Sequence, residues 1–198
     1  MTMPAGVAKD KLLFVALVFV ALALYPLLAG KYGIDLVTKI MILAIFALSL
    51  ELLVGGTGLV CFGQAAFFGI GAYTAVKLSP EADAASVFWL MPASVLLAAL
   101  YALAVGALSL RTKGVYFIMV TLAFAQMAYY VVHDTPLGGG TDGIYLNVKP
   151  SVLGPIDLDK PLVFYAFTLA WLAIVFVFLA VLLRSRFGRA LAGIRVNE

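Results

Sequence analysis

The sequence predicts an all-α integral membrane protein, a polytopic bundle of about six transmembrane or half-spanning helices followed by a short cytoplasmic amphipathic helix. Of its 198 residues, 65% are hydrophobic and 12% are charged, whereas soluble domains average about 45–50% and about 25%. Uncharged runs recur at about the 20-residue length with which a helix crosses ~30 Å of hydrocarbon. These runs do not alternate with a period of two, which disfavours a β-barrel. The composition therefore excludes a soluble enzyme and a disordered chain.

We expect a transmembrane domain over residues 1–183 and a cytoplasmic segment over residues 184–198. The predicted spans cover residues 12–30, 36–54, 57–76, 86–110, 115–132 and 161–183, and a loop over residues 133–160 separates the last two. The first stretch is flanked by lysines, as in a signal peptide. Its apolar core exceeds the usual length of about 7–15 residues, so we expect a retained helix.

The distribution of lysine and arginine predicts the orientation of these spans. With six crossings and the N-terminus inside, eight of the 13 lysine and arginine residues face the inner side and five face the outer side. Positive charge concentrates on cytoplasmic loops. We therefore expect the N-terminus and residues 184–198 in the cytoplasm, and the loop over residues 133–160 outside.

Small residues recur at helical spacing in two of the predicted spans. Ala65, Gly69 and Ala72 form one stripe. A second stripe has four members at every fourth position: Ser94, Ala98, Ala102 and Gly106. Such stripes allow helix backbones to approach closely in lipid, although the abundance of alanine also produces them by chance. We expect these spans to pack in a bundle or against a partner subunit.

A glycine-rich segment follows the second span. Gly55, Gly56 and Gly58 fall within four positions and predict a break in the helix. Irregular backbone at membrane depth is tolerated only inside protein or beside a cavity, and broken spans often surround the permeation site of transporters. An ordinary cytoplasmic turn between two helices explains the same glycines at least as well.

Three polar residues near this segment are candidates for a translocation path. Glu51 is the single acid within an apolar run, and carboxylates at membrane depth usually have a function or a partner. Its position four residues before Gly55 also lets it reach headgroups or water. Thr57 and Gln64 are neutral hydrogen-bonding groups that line a path or bond a neighbouring helix.

The outer loop contains the turn-rich sequence GGGTDG, from Gly138 to Gly143. His133, Asp134 and Asp142 have metal-ligating side chains, but they show no recognised spacing, so a solvated loop is the simpler interpretation. A single cysteine and a single histidine exclude a multi-cysteine metal site and a histidine cluster. We expect no metal, no cofactor and, because the basic residues form no long stripe, no nucleic acid partner.

The chain ends in a short basic amphipathic helix. Phe187, Leu191 and Ile194 lie at positions i, i+4 and i+7 and form one apolar face, and three arginines project around the rest: Arg186, Arg189 and Arg195. Such a helix lies on anionic lipid or docks into a groove of a soluble partner, and its periodicity leaves both open. No phosphate-binding G-x-x-x-x-G-K-[ST] sequence occurs in the chain.

Three stretches, in the same order, resemble the branched-chain amino-acid ABC transporter permease family (LivM-like subunits). They are LVGGTGLVCFGQAAFFGIGAYTA (residues 53–75), RTKGVYFIMVTLAFAQM with GGGTDGI (residues 111–127 and 138–144) and SRFGRALAGIRVNE (residues 185–198). The resemblance implies a permease subunit of a binding-protein-dependent importer for branched-chain amino acids or related small amides in the bacterial inner membrane. It implies no enzymatic activity in this chain, because ATP hydrolysis belongs to partner subunits.

The implied partners are two cytoplasmic ATPase subunits, a second homologous permease subunit, a periplasmic substrate-binding protein and membrane lipid. The resemblance implies that the tail is the ATPase-coupling helix, with these residues in contact: Arg186, Phe187, Gly188, Arg189, Leu191, Ile194, Arg195 and Glu198. It places Gly139, Thr141 and Asp142 on the side that the binding protein touches.

Two departures from the family pattern stand out. Family members often carry asparagine where this chain has Glu51 and histidine where it has Gln64. The family also continues with further membrane segments, so we expect the chain to lack a C-terminal portion.

Two other functions remain open from the residues alone: a secondary transporter or channel that uses Glu51, and a non-transporting membrane scaffold subunit.

Overall fold

Seven α-helices form almost all of the chain that the structure describes, which confirms the all-α class. The computed structural model describes residues 5–80, 85–112, 114–140, 143–144, 151–152 and 156–196. The helices are α1 (Ala5–Leu28), α2 (Lys31–Thr57), α3 (Gln64–Leu78), α4 (Val87–Ser109), α5 (Val115–Asp134), α6 (Pro161–Arg184) and α7 (Arg186–Val196). A 3-10 turn (Pro136–Gly138) follows α5. Strands β1 (Ser151–Val152) and β2 (Ile156–Asp157) pair antiparallel, with Ser151 opposite Asp157.

In the described part of the chain, four helices have the length and apolar composition needed to cross a membrane: α2, α4, α5 and α6. Helix α1 adds an apolar stretch over Leu13–Leu28. Helix α3 has 15 residues, about 22 Å at 1.5 Å per residue, and so is shorter than ~30 Å of hydrocarbon. Many large apolar side chains face outward, among them Leu28, Trp89 and Leu103, which are 92%, 77% and 72% exposed. Hydrocarbon, unlike water, solvates such a surface without penalty.

The chain divides into two units. The first contains Met1–Leu48 and Asp159–Leu182, and therefore α1, most of α2 and nearly all of α6. Its core consists of Ile34 and Met41 from α2 and Tyr165 and Leu172 from α6. The Tyr165 hydroxyl donates a hydrogen bond of 2.6 Å to the carbonyl oxygen of Leu22 in α1. This bond satisfies a buried polar group inside an otherwise apolar contact.

The second unit contains Ser49–Leu158 and Leu183–Glu198. In it, α3 packs against both α4 and α5. Tyr101 of α4 joins the three helices: its ring centroid lies 5.9 Å from that of Phe67 in α3, and its hydroxyl donates a 2.7 Å hydrogen bond to the carbonyl oxygen of Phe124 in α5. The four small residues of the α4 stripe are all half-buried, whereas Leu96, Leu100 and Leu103 of that helix are exposed. The small residues therefore face protein, as close helix packing requires.

The break after the second span begins later than the glycines suggest. Gly55 and Gly56 are helical, and α2 continues to Thr57. Gly58 then adopts a left-handed φ of 77°, a conformation that ends helices and favours glycine. The next helix starts at Gln64 rather than at residue 57, because residues 58–63 form the turn.

Candidate functional site

Residues 183–188 form the α6–α7 corner, the connection between α6 and the terminal helix. Ser185 is the one residue between the two helices, and its Oγ accepts a 3.4 Å hydrogen bond from the backbone N–H of Gly188. This geometry is that of a helix N-cap, in which a hydroxyl satisfies an N–H of the first turn. Gly188 is buried, and a Cβ on it would overlap the backbone of Leu183, its carbonyl oxygen first. Only glycine therefore fits this position without moving the corner.

The apolar face of α7 is only partly covered. Phe187 is 57% exposed, Leu191 is half-buried and Arg186 is exposed. The side chains of Arg189, Ile194 and Arg195, and the whole of Glu198, lie outside the part of the chain that the structure describes. An exposed phenylalanine next to an arginine gives this surface the chemistry of an amphipathic docking element.

The end of α2 lies beside the α6–α7 corner within the second unit. A Cβ on Gly56 would be 4.0 Å from the Cδ2 of Leu183, which is ordinary van der Waals contact. The side chain of Leu183 therefore lies close to Gly56, two residues before the left-handed turn at Gly58.

The three candidate path residues lie around this turn, but the structure gives them different surroundings. Thr57 is buried, and its Oγ1 donates a 2.6 Å hydrogen bond to the carbonyl oxygen of Leu53. The Nε2 of Gln64 donates a 2.9 Å hydrogen bond to the Oγ of Ser49, which ties the start of α3 to α2. Both groups therefore hold the turn in place.

Glu51 is exposed, and its carboxylate lies over Gly55. A Cβ on Gly55 would be 2.5 Å from the Oε1 of Glu51, so the absence of a side chain at that position leaves room for the carboxylate. The structure thus brings Glu51 to the end of α2 without burying it.

A cleft of about 470 Å³ lies between α3 and α5 in the second unit, and sequence reasoning missed it. Most of its walls are apolar or small: Phe62, Ala65, Ala66, Gly69, Ile70, Leu122, Ala125, Ala128 and Val132. Its polar lining residues are Tyr73, Gln126, Tyr129 and His133. The stripe of Ala65, Gly69 and Ala72 predicted close packing, yet Ala65 and Gly69 border this open space. Gln126, a polar residue in the apolar run of α5, was the available signal.

The end of the cleft at His133 carries charge and aromatic rings. The Nδ1 of His133 is 2.8 Å from the Oδ1 of Asp134, and the His133 ring stacks on Tyr129 with centroids 5.3 Å apart. Among the described residues, no group of three histidine, cysteine or acidic side chains is arranged to hold a metal ion.

The candidate contact with a binding protein falls mostly outside the described residues, because it includes Thr141 and Asp142. Gly139 is exposed and has a left-handed φ of 78°. The turn-rich character predicted for this loop is visible at that position.

Comparison with known proteins gives a consistent family assignment. The profile of the family described as branched-chain amino acid transport system / permease component matches residues 32–198. The high-affinity branched-chain amino acid transport system permease protein LivM of Escherichia coli (strain K12) is 34% identical over 148 residues, 74% of this chain and 34% of that protein. LivM of Salmonella typhimurium (strain LT2) is 33% identical over 148 residues, with the same coverage. The matched region thus spans about a third of these relatives, and no solved structure matches significantly.

Proposed function

The chain belongs to the branched-chain amino acid transport permease family, and from this premise we propose that it is a membrane subunit of an ATP-driven, binding-protein-dependent importer. Its cargo in this proposal is branched-chain amino acids or related small amides. Its partners are two cytoplasmic ATPase subunits, a second homologous permease subunit and a periplasmic substrate-binding protein. Proteins of this family are multi-pass inner-membrane permeases and are not themselves ATPases.

The geometry of α7 carries the proposal. An apolar docking surface is useful for transmitting force only if its attachment to the membrane domain is stiff. The Ser185 cap and the close approach of Gly188 to the backbone of Leu183 hold the first turn of α7 against the last residues of α6. A helix so attached, with Phe187 57% exposed, suits insertion into a groove of an ATPase better than loose adsorption to lipid.

The route from α7 to the membrane domain follows from the same corner. Leu183 rests beside Gly56, and the hydrogen bond from Gln64 to Ser49 connects α3 to α2. Movement of the corner would tilt the α2–α3 connection as a unit. In this proposal Glu51, Thr57 and Gln64 border the translocation path, with Thr57 and Gln64 acting as positioning residues.

The topology in this proposal has the N-terminus and α7 in the cytoplasm. The excess of basic residues on that side supports it, and so does the need for α7 to meet ATPases that work on cytoplasmic ATP. The loop with Gly139, Thr141 and Asp142 then lies on the periplasmic side, where a binding protein delivers substrate.

Replacement of Phe187 by aspartate tests the docking surface. Phe187 is the second residue of α7, where a negative charge is favourable to the helix dipole, so Phe187→Asp leaves the helix intact while removing apolar contact. We expect it to abolish co-purification of the ATPase subunits with the full-length permease from membranes. Phe187→Leu keeps an apolar side chain at the same position and should retain association.

Two results would overturn the proposal. One is undiminished ATPase association of Phe187→Asp. The other is labelling of a cysteine at position 187 by a membrane-impermeant maleimide added to the periplasmic side. Uptake that persists without ATP and collapses with the proton gradient would instead favour a secondary transporter.

A further inference from the structure

We propose that the cleft between α3 and α5 is a substrate site for an amino acid with an aliphatic side chain. The side chain lies against the small residues of the cleft, and the charged α-groups lie near Tyr129 and His133. This inference rests on the proposed function, which it extends by locating a site and selecting aliphatic amino acids over small amides.

The dimensions of the cleft suit a small molecule. Its volume of about 470 Å³ falls within the ~300–1,000 Å³ typical of small-molecule sites. The apolar wall includes Ala65, Ala66 and Gly69 on α3 and Leu122 and Ala125 on α5. A branched aliphatic side chain gains free energy from leaving water for such a wall, about 25 cal/mol per Å² of apolar surface. Urea and short amides have little apolar surface to bury, so the wall discriminates against them.

Polar side chains line part of the cleft. Tyr73 and Tyr129 supply hydroxyl groups, and His133, whose ring stacks on Tyr129 with centroids 5.3 Å apart, supplies a ring nitrogen. The Asp134 carboxylate lies next to His133, 2.8 Å from its Nδ1. A zwitterion needs donors for its carboxylate and an acceptor for its ammonium, and these four side chains provide both.

The amide of Gln126 argues against an acyl chain as the occupant. Gln126 lines the cleft and is exposed, and in the part of the chain that the structure describes its side chain forms no hydrogen bond. An amide left without a partner in hydrocarbon costs about 2–7 kcal/mol. The amide therefore favours a polar ligand or water over an acyl chain on this side of α5.

Two glycines of α3 provide a matched pair of variants. Gly69 lines the cleft and Gly71 does not. A Cβ on either glycine would meet no heavy atom within 4 Å, so neither position is closed to a side chain at its first atom, and leucine raises helix propensity at both. The two variants therefore differ in whether the added side chain fills the cleft.

The first measurement is uptake of L-leucine by the full-length permease in its reconstituted complex. We expect Gly69→Leu to lower kcat/KM for leucine by about tenfold or more, since small changes in apolar pockets have effects of that order. Gly71→Leu should match the wild type. Equal yield and monodispersity of the two variants establish that the loss does not come from misfolding.

The second measurement does not depend on transport. Gly69→Cys and Gly71→Cys, each in full-length protein in membranes, are labelled with a maleimide in the presence of L-leucine or glycine. Leucine should protect position 69 from labelling and leave position 71 unaffected, and glycine, which has no side chain, should protect neither. The native Cys61 is buried, and the unsubstituted chain gives the background.

Each outcome decides the inference. Normal leucine transport by Gly69→Leu, or equal labelling of Gly69→Cys with and without leucine, overturns it while leaving the importer assignment intact. If the wild-type complex takes up no leucine, the proposed function fails, and protection at position 69 still decides whether the cleft binds the amino acid. Position 69 could instead be protected from labelling whenever the second permease subunit is present, with or without leucine. That result would make the cleft a subunit interface and would also overturn the inference.

Discussion

The corner between α6 and α7 yields the sharpest stability prediction, because two glycines of α7 differ in what a methyl group would meet. At Gly188 a Cβ would overlap the carbonyl oxygen, carbonyl carbon and Cα of Leu183. At Gly193 a Cβ would meet no heavy atom within 4 Å. Helix propensity alone predicts that alanine at either position stabilises α7 by up to about 1 kcal/mol.

The contact at Gly188 reverses this expectation. Overpacking typically costs about 1–3 kcal/mol, and the upper half of that range applies here because backbone atoms cannot rotate aside as a flexible side chain does. After the gain in helix propensity, a net loss of about 1–2 kcal/mol remains, which raises the open fraction of the corner by about 5–30-fold. We therefore expect Gly188→Ala to increase the fraction of molecules in which α7 is detached from the corner. Gly193→Ala should leave that fraction unchanged or lower it.

Limited proteolysis measures this opening directly. Trypsin cleaves after arginine, and Arg186 and Arg189 lie within α7. When opening is fast relative to cleavage, the cleavage rate follows the population of the open form. The assay uses the full-length chain in membrane vesicles with the α7 side accessible. Cleavage of Gly188→Ala no faster than that of Gly193→Ala would refute the argument that glycine is required at this corner.

Two further predictions concern other parts of the chain. Tyr165→Phe removes the hydrogen bond to the Leu22 carbonyl oxygen and should lower the free energy of unfolding of the full-length protein in detergent by about 0.5–1.5 kcal/mol. Tyr32→Phe, at a residue 81% exposed, is the control, and equal effects of the two would contradict the assigned role. Glu51→Gln removes an exposed charge but keeps a hydrogen-bonding side chain beside the proposed path, so uptake by the reconstituted complex should remain ATP-driven and insensitive to the proton gradient. Loss of that uptake would revive the proton-coupled alternative.

The extent of sequence-based prediction differs between the fold and the candidate site. Helix class and approximate spans follow from long uncharged runs, because the hydrocarbon core requires internal backbone hydrogen bonds over about 20 residues. The ends of helices are harder to predict from sequence, as the continuation of α2 through Gly55 and Gly56 to Thr57 illustrates. Glycine lowers helix propensity but does not forbid a helix, and the left-handed φ at Gly58 marks the actual end.

The amino-acid order alone determined the membrane class, the amphipathic character of residues 186–196 and the likeness to a permease family, since these depend on composition, periodicity and local motifs. Three features became visible only in the tertiary structure. Gly188 packs closely against the backbone of Leu183, Gln64 donates a hydrogen bond to Ser49, and a cleft that extends to His133 lies between α3 and α5. The physical reason is the distance along the sequence over which each interaction acts. Helix formation and solubility in lipid depend on residues within a few helical turns of one another. Contacts and cavities depend instead on how surfaces distant in sequence fit together.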